Sequence, residues 1–385
     1  MKNIRRLSIV VLLIALTVMS FGSTGAQMEA PDVPVKLGVL SPITGPAASI
    51  GQEVLNWQIL AVEDFNERYG WEVEIVEGDT EIDPAVGVVV AEAIIADSDV
   101  YGATGPAGSQ VVAATMDMLN EAGMAHVSAS ATDPSLTEDG GNGTFFRVVP
   151  TDADQGPTIG NYLVENLGAT ALFIIDDQST YSVGLANIAG ETFEEGGGEV
   201  VGRESVTQED IDFSALVTSI DSSGADAVFF PGQIASQGAT LAGQLAEQGV
   251  AVILMGADGF YSPGDFIEAA AGATEGAYAT SFAPDIHGLE SAADVVERYE
   301  EEYGEFGTFG PPAYVAATVV LEAMYSVYEA DGELSREAVA AEVAATEMED
   351  SILGIPISFA DNGDLEGGSF FIFQVQDGAF VLLTE

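Results

Sequence analysis

Short apolar runs alternate along this chain with longer stretches in which apolar side chains recur at helical spacing. Val35 to Leu40, Trp71 to Val76, Val100 to Ala103 and Met124 to Ser128 read as strands, because a short apolar run between turn residues suits a strand buried on both faces. Between them, Ile50 to Tyr69, Pro84 to Ala96 and Ser109 to Ala122 carry the spacing of helices. Repeated strand–helix–strand units predict a parallel sheet covered on both faces.

The pattern restarts after Phe146 to Val149. Helices are expected from Asp154, Tyr181, Phe213 and Ser236, and strands over Ala171 to Ile175, Glu199 to Gly202, Ala227 to Phe230 and Val250 to Met255, which makes a second sheet of the same kind. Helical stretches follow at Leu289 to Tyr303, Pro312 to Tyr328 and Arg336 to Ala345. Strand-like Ile355 to Phe359, Ser369 to Val375 and Ala379 to Leu383 close the chain, the first two joined by the turn-rich Asp361-Asn362-Gly363-Asp364. The expected fold class is α/β, with two doubly wound parallel-sheet lobes and no low-complexity linker between them.

Three polar stretches end apolar runs: Gly105-Pro106-Ala107-Gly108-Ser109, Ser128-Ala129-Ser130-Ala131-Thr132 and Gly256-Ala257-Asp258-Gly259. Each reads as a loop at the carboxyl end of a parallel strand, where open α/β sheets bind ligands. Hydroxyls, free backbone N–H groups and one carboxylate together suit a small zwitterion.

Composition sets the compartment. Lys2, Arg5 and Arg6 precede an apolar stretch from Leu7 to Val18, and Thr24-Gly25-Ala26 offers small residues for cleavage, so residues 1–26 read as a secretory signal peptide. The stretch is short for a spanning helix, which needs about 20 predominantly apolar residues. The absence of cysteine excludes disulfides, thiolate metal sites, a cysteine nucleophile and a lipid-modified cysteine. The expectation is a secreted, periplasmic protein with no lipid anchor, retained by an outer membrane.

The net charge is −53, and beyond the signal six basic residues, Lys36 the only lysine among them, face 62 acidic ones. Self-repulsion of that size needs screening, and the Debye length falls to about 3 Å in molar salt, so a saline habitat is inferred. Hydrophobic content of 47% with regular periodicity argues against a disordered acidic chain. With no basic stripe to neutralise phosphates, nucleic-acid binding is excluded.

The opening Leu37-Gly38-Val39-Leu40-Ser41-Pro42-Ile43-Thr44-Gly45-Pro46-Ala47-Ala48, then Asp152-Ala153-Asp154-Gln155-Gly156-Pro157-Thr158, Phe213-Ser214-Ala215-Leu216 and Gly363-Asp364-Leu365 resemble, in order and spacing, the type I periplasmic-binding proteins. Within that family the chain is similar to the leucine/isoleucine/valine-binding branch serving ABC transporters, over nearly its whole length after the signal. The resemblance implies two lobes joined by three hinge crossovers, here near Pro150, Ala283 and Gly354. One lobe then holds 34–151 and 284–353, the other 152–283 and 354–385, with ligand bound between them.

It also implies roles for residues. Ser109, otherwise a helix N-cap worth about 1 kcal/mol, becomes a contact for the ligand carboxylate. Ser130 and Thr132, otherwise ordinary turn residues, supply main-chain and hydroxyl groups, each hydrogen bond to a charged group being worth about 1.5–3 kcal/mol. Asp258 stands where the branched-chain binders carry Glu for the ligand's ammonium. Tyr181 lies over the ligand, and Phe309 walls the side-chain pocket. Ile50 and Gln233 replace aromatic residues of those binders, which changes the pocket's shape and polarity.

The implied activity is capture of an amino acid, branched-chain-like or another small zwitterion, by a monomer that delivers it to an ABC permease, with no cofactor. A sensory or uptake receptor of the same fold for an amide, urea or other small carboxylate is the alternative. Enzymatic chemistry is not expected: only His126 and His287 are present, His126 inside an apolar run, and no nucleophile elbow, phosphate loop or dinucleotide fingerprint follows a suitable strand. Asp361 to Asp364 departs from the EF-hand calcium pattern and reads as a turn.

Overall fold

The computed structural model describes residues 30–141 and 143–384, so the expected signal peptide at 1–26 lies outside the described residues. The periodicity of the first third gives β1 (Val35–Ser41), α1 (Ala48–Tyr69), β2 (Val73–Asp79), α2 (Pro84–Ala96), β3 (Val100–Thr104), α3 (Ser109–Glu121), β4 (His126–Ser128) and β5 (Phe145–Arg147). Local chemistry sets several boundaries. Asp83 accepts from the amides of Ala85 and Val86 with Pro84 at the first helical position, and Gly70 ends α1 in the left-handed conformation. The five strands pair in the order β2-β1-β3-β4-β5, all parallel. The order reverses between β1 and β3, which opens a crevice at their carboxyl ends.

The second sheet is built from β6 (Ala171–Asp176), β7 (Glu199–Ser205), β8 (Ala227–Phe230), β9 (Ile253–Gly256) and β10 (Tyr278–Ser281), with α4 (Asp152–Asn161) preceding it and α5 (Thr180–Glu195), α6 (Ser214–Ser223) and α7 (Ala235–Gln248) as crossovers. The chain then returns through α8 (Ala293–Tyr303), α9 (Gly310–Asp331) and α10 (Arg336–Ala344), of which α9 packs on α1, β3 and β4. The two-residue strands β11 (Glu347–Met348) and β12 (Ile357–Ser358) pair with each other, and β13 (Phe371–Gln376) and β14 (Ala379–Thr384) finish the second sheet. Its order is β14-β13-β10-β9-β8-β6-β7, parallel from β7 to β10 and antiparallel for β13 and β14. The closing hairpin therefore extends a parallel sheet with two antiparallel strands.

Two departures from the sequence reading have clear causes. Strand β10 is absent from the periodicity because Tyr-Ala-Thr-Ser contains no run of large apolar residues, yet Ala279 is fully buried at the centre of the sheet. A second difference is in the packing after Gly354, where the third crossover is expected. Leu353, Ile357, Leu365 and Phe370 are buried in the same core as Trp57 and Phe146 of the first lobe, and only β13 re-enters the second sheet.

The turn Asp361 to Asp364 fastens this returning segment to β5. Gly363 has φ +90, and a Cβ there would stand 2.2 Å from the Phe145 carbonyl, so the close approach requires glycine. Its carbonyl accepts from the Arg147 amide, and the Asp364 carboxylate meets Arg147 Nε at 2.6 Å. Arg147, fully buried, also donates to the carbonyls of Ala131 and Asp133, on either side of Thr132. Removing the anion strands a buried guanidinium. Asp364→Ala should therefore lower folding stability by roughly 3–5 kcal/mol, seen as an earlier denaturation midpoint. An unchanged midpoint would mean that the backbone carbonyls alone suffice.

Candidate functional site

The loops after β2, β3, β4, β8 and β9, with the starts of α1, α5 and α9, converge on one small cavity of about 20 Å3 between the sheets. Its lining includes seven of the eight residues singled out in the sequence: Ile50, Ser109, Ser130, Tyr181, Gln233, Asp258 and Phe309. Thr132, the eighth, is fully buried just behind it, its hydroxyl facing the carboxyl of Asp152. Residues from both lobes meet around the cavity, with Ile234 of the second against Ala47, Ile82 and Ile50 of the first, so the cleft is closed.

Ser109 is not the N-cap of α3. Gly108 takes that position, and Ser109 is the first helical residue. Its Oγ accepts from the Asp133 amide at 3.3 Å, which leaves the hydroxyl proton free to donate into the cavity beside the helix's unpaired N–H groups. An anion is favoured there. The β4 loop is shaped from beneath by Ser128, whose hydroxyl donates to the Pro106 carbonyl and accepts from the Ala131 amide.

Asp258 is the sole carboxylate among the lining residues and is 3% exposed. It is aimed by the next residue: a Cβ on Gly259 would stand 2.2 Å from the Gly232 carbonyl, so only glycine lets these two loops touch. Asp258 Oδ1 accepts from Gln155 Nε2 at 2.6 Å and from the Tyr181 hydroxyl at 2.7 Å. Tyr181 is thereby more than a wall. Ser179 caps α5 and sets Tyr181 in its first turn, from which the phenol reaches the carboxylate. Burial raises the Asp258 carboxyl above the usual carboxylate range, against the pull of those two hydrogen bonds.

Gln233 does not present a free amide to the cavity. Its Oε1 accepts from Gln110 Nε2 at 2.8 Å and Gln208 Nε2 at 2.6 Å, and its backbone amide donates to Asp177. Gln110 belongs to the first lobe and Gln208 to the second, so this amide bridge spans the cleft. With that polar head engaged, the side-chain end of the cavity is left to Ile50, Ile82 and Phe309. Phe309 packs edge-on to Phe282, and its neighbours Gly307 and Gly310 donate their amides to Glu53, one turn beyond Ile50 on α1. Burial lifts the Glu53 carboxyl to about 7, and those amides restrain it.

Asp152, Gln155, Gln110, Gln208 and Glu53 were not read as site residues, although Asp152 and Gln155 stand inside a motif that carries the family resemblance. Their spacing of three on α4 turns both toward one side, the only local signal available. His126 is a core residue as expected. It is fully buried, with Nδ1 at 3.4 Å from the Met124 carbonyl, and burial pushes it down to about 4, so it is neutral. Among the described residues no cluster of acidic, histidine or cysteine side chains suits a metal ion, and no helix is long and apolar enough to cross a membrane.

Comparison with known proteins agrees with this geometry. The family described as periplasmic binding protein matches residues 34–379. The Leu/Ile/Val-binding protein homolog 3 of Brucella melitensis is 29% identical over 369 residues, covering 95% of this chain and 98% of its own. The leucine-binding protein LivK of Thermotoga maritima superposes with a TM-score of 0.80 at 28% identity, over 91% of this chain and 98% of its own. LivJ of Streptococcus pneumoniae, a branched-chain amino acid transporter substrate-binding protein solved with isoleucine, gives 0.80 at 25% identity, over 92% of this chain and 100% of its own. The two lobes, the closed cleft between them and a family match along nearly all the described chain lead to one assignment: this protein belongs to the periplasmic binding protein family.

Proposed function

We propose that this protein is the extracytoplasmic receptor of an ABC transporter and captures an aliphatic α-amino acid between its lobes for delivery to the permease. The observation that carries this reading is the division of the cavity: an anion-favouring end at Ser109 and the α3 N-terminus, a single carboxylate at Asp258, and an apolar wall of Ile50, Ile82 and Phe309. A zwitterion with an aliphatic side chain complements all three. The homologues' names point the same way.

The ligand carboxylate takes the Ser109 hydroxyl and free helix amides, its ammonium takes Asp258 and the Thr132 loop, and its side chain lies on Phe309. These groups come from both lobes, so ligand favours the closed state by its differential affinity for it, and the permease reads closure. The chain binds without turning over its ligand. Crossings near Pro150, Ala283 and the stretch from Glu366 to Phe370 serve as the hinge. The protein works as a secreted monomer, released by cleavage of 1–26 and held by no lipid, in a saline medium.

Calorimetric titration in concentrated salt tests the reading, with leucine, isoleucine, valine and alanine beside glutamate, amides, urea and benzoate. Binding confined to apolar α-amino acids is expected. Binding only of amides, urea or benzoate would remove the ammonium site and leave the fold.

A further inference from the structure

Behind Asp258 lies a second carboxylate that the ligand contacts above do not use. Asp152, the first residue of α4, is fully buried, and its carboxyl, faced by the Thr132 hydroxyl, makes no hydrogen bond of full geometry. Thr132 Oγ1 and Gln155 Oε1 are buried and make none either. The Asp152 amide donates to the Thr132 carbonyl, which ties the two residues together, and Gln155 one turn along α4 hydrogen-bonds Asp258. The result is a pocket of acceptors with one hydroxyl proton among them. Leaving such oxygens without donors costs about 1–3 kcal/mol each, more when charged.

We propose that Asp152 and Asp258 act as a carboxylate pair that holds one proton in the empty cleft and gives it up to solvent when the cationic nitrogen of the ligand arrives. The inference rests on the amino-acid reading of the site. Two buried carboxylates whose charges interact resist double ionisation, and neither has a cationic partner of its own, since the one nearby, Arg147, is committed to Asp364 and two carbonyls. The surroundings are divided. Asp133 beside Thr132 adds negative charge and favours the proton, whereas the hydrogen bonds that Tyr181 from α5 and Gln155 from α4 donate to Asp258, and the more distant charge of Arg147 from β5, favour ionisation; burial outweighs them. Burial and the charge of Asp258 hold Asp152 well above the usual carboxylate range. An ammonium beside Asp258 reverses this balance and favours both carboxylates ionised. Asp152, which does not line the cavity, is a positioning residue that acts through Thr132 and Gln155.

The linkage has a definite sign. Binding lowers the pair's affinity for its proton, so amino-acid affinity is weakest in acid and rises by up to about tenfold per pH unit until the empty pair itself ionises. The test is titration of the intact protein with leucine, in concentrated salt, in buffers of different ionisation enthalpy between about pH 5 and 8. Release of about one proton per ligand is expected at the lower pH, vanishing in Asp152→Asn while leucine still binds. Leucine binding with no buffer dependence would overturn the exchange alone, and it needs no variant. Equal proton release from wild type and Asp152→Asn would remove Asp152 from the pair. Absence of binding for every amino acid tried would instead strike the reading of the site, and the exchange with it.

Discussion

Asp258→Ala should abolish measurable amino-acid binding while the protein remains folded. Truncating one partner of a buried, hydrogen-bonded charge pair costs roughly 2–5 kcal/mol, a loss of about thirtyfold to several thousandfold in affinity. The Ala variant also leaves Gln155 Nε2 with only Thr280 and frees the Tyr181 hydroxyl, so Asp258→Asn is the cleaner companion. It keeps the shape and removes the charge.

Stability should move the other way. The folded-state carboxyl lies above its unfolded value, so its contribution is present below the unfolded value near 3.8 and lost as pH rises through the raised one. At neutral pH the aspartate is therefore a burden on the empty protein, and Asp258→Asn should melt higher than wild type without ligand. Retained affinity for leucine in Asp258→Asn would sink the ammonium role. A lower melting temperature in that variant would show that the carboxylate is held mainly for structure.

The second large effect is salt. All six basic residues outside the expected signal are already engaged: Lys36 with Asp97, Arg68 with Glu322, Arg147 with Asp364, Arg203 with Asp176, Arg298 with Asp64, and Arg336 with the carbonyls of Val100, Ile95 and Asp97. The remaining acidic side chains have no protein cation to meet. At 0.1 M salt the Debye length is about 10 Å, long enough for neighbouring surface carboxylates to repel, and it shrinks to about 3 Å at 1 M. The melting temperature should thus rise by on the order of 10 °C or more between those conditions. Sucrose at equal osmolality strengthens burial without screening and should not substitute. A melting temperature independent of salt, or raised equally by sucrose, would show that charge repulsion does not limit this fold.

Much of the scaffold was legible in local pattern. The parallel strands of the first sheet are apolar runs between turn residues, Asp83-Pro84 announces α2, and the polar stretches at the ends of β3, β4 and β9 marked the cavity before any contact was known. Ser109 and Asp258 stand out because strand ends carry a polar signal within a few residues, whereas Tyr181 is singled out only through the family resemblance, and all three line the cavity. The bridge of Gln110, Gln208 and Gln233 was not, because nothing about a glutamine on α3 says which loop of the other lobe it will meet. Asp152 was visible in a motif but silent about its burial. Gln233 reads as a polar substitution in the pocket until its partners show that the polarity is spent across the cleft.

Sequence alone therefore determined the α/β architecture, the acidic and cysteine-free character, and the chemistry of the strand-end loops, all properties set by periodicity, composition and near neighbours. Tertiary structure decided that β10 completes a sheet, that Leu353, Ile357, Leu365 and Phe370 pack in the first core, and that Asp152 is buried close enough to Asp258 for their charges to interact. Those outcomes depend on which distant segments exclude water from one another. Burial by a remote segment changes what a carboxylate or an amide can do without changing a letter of its own neighbourhood.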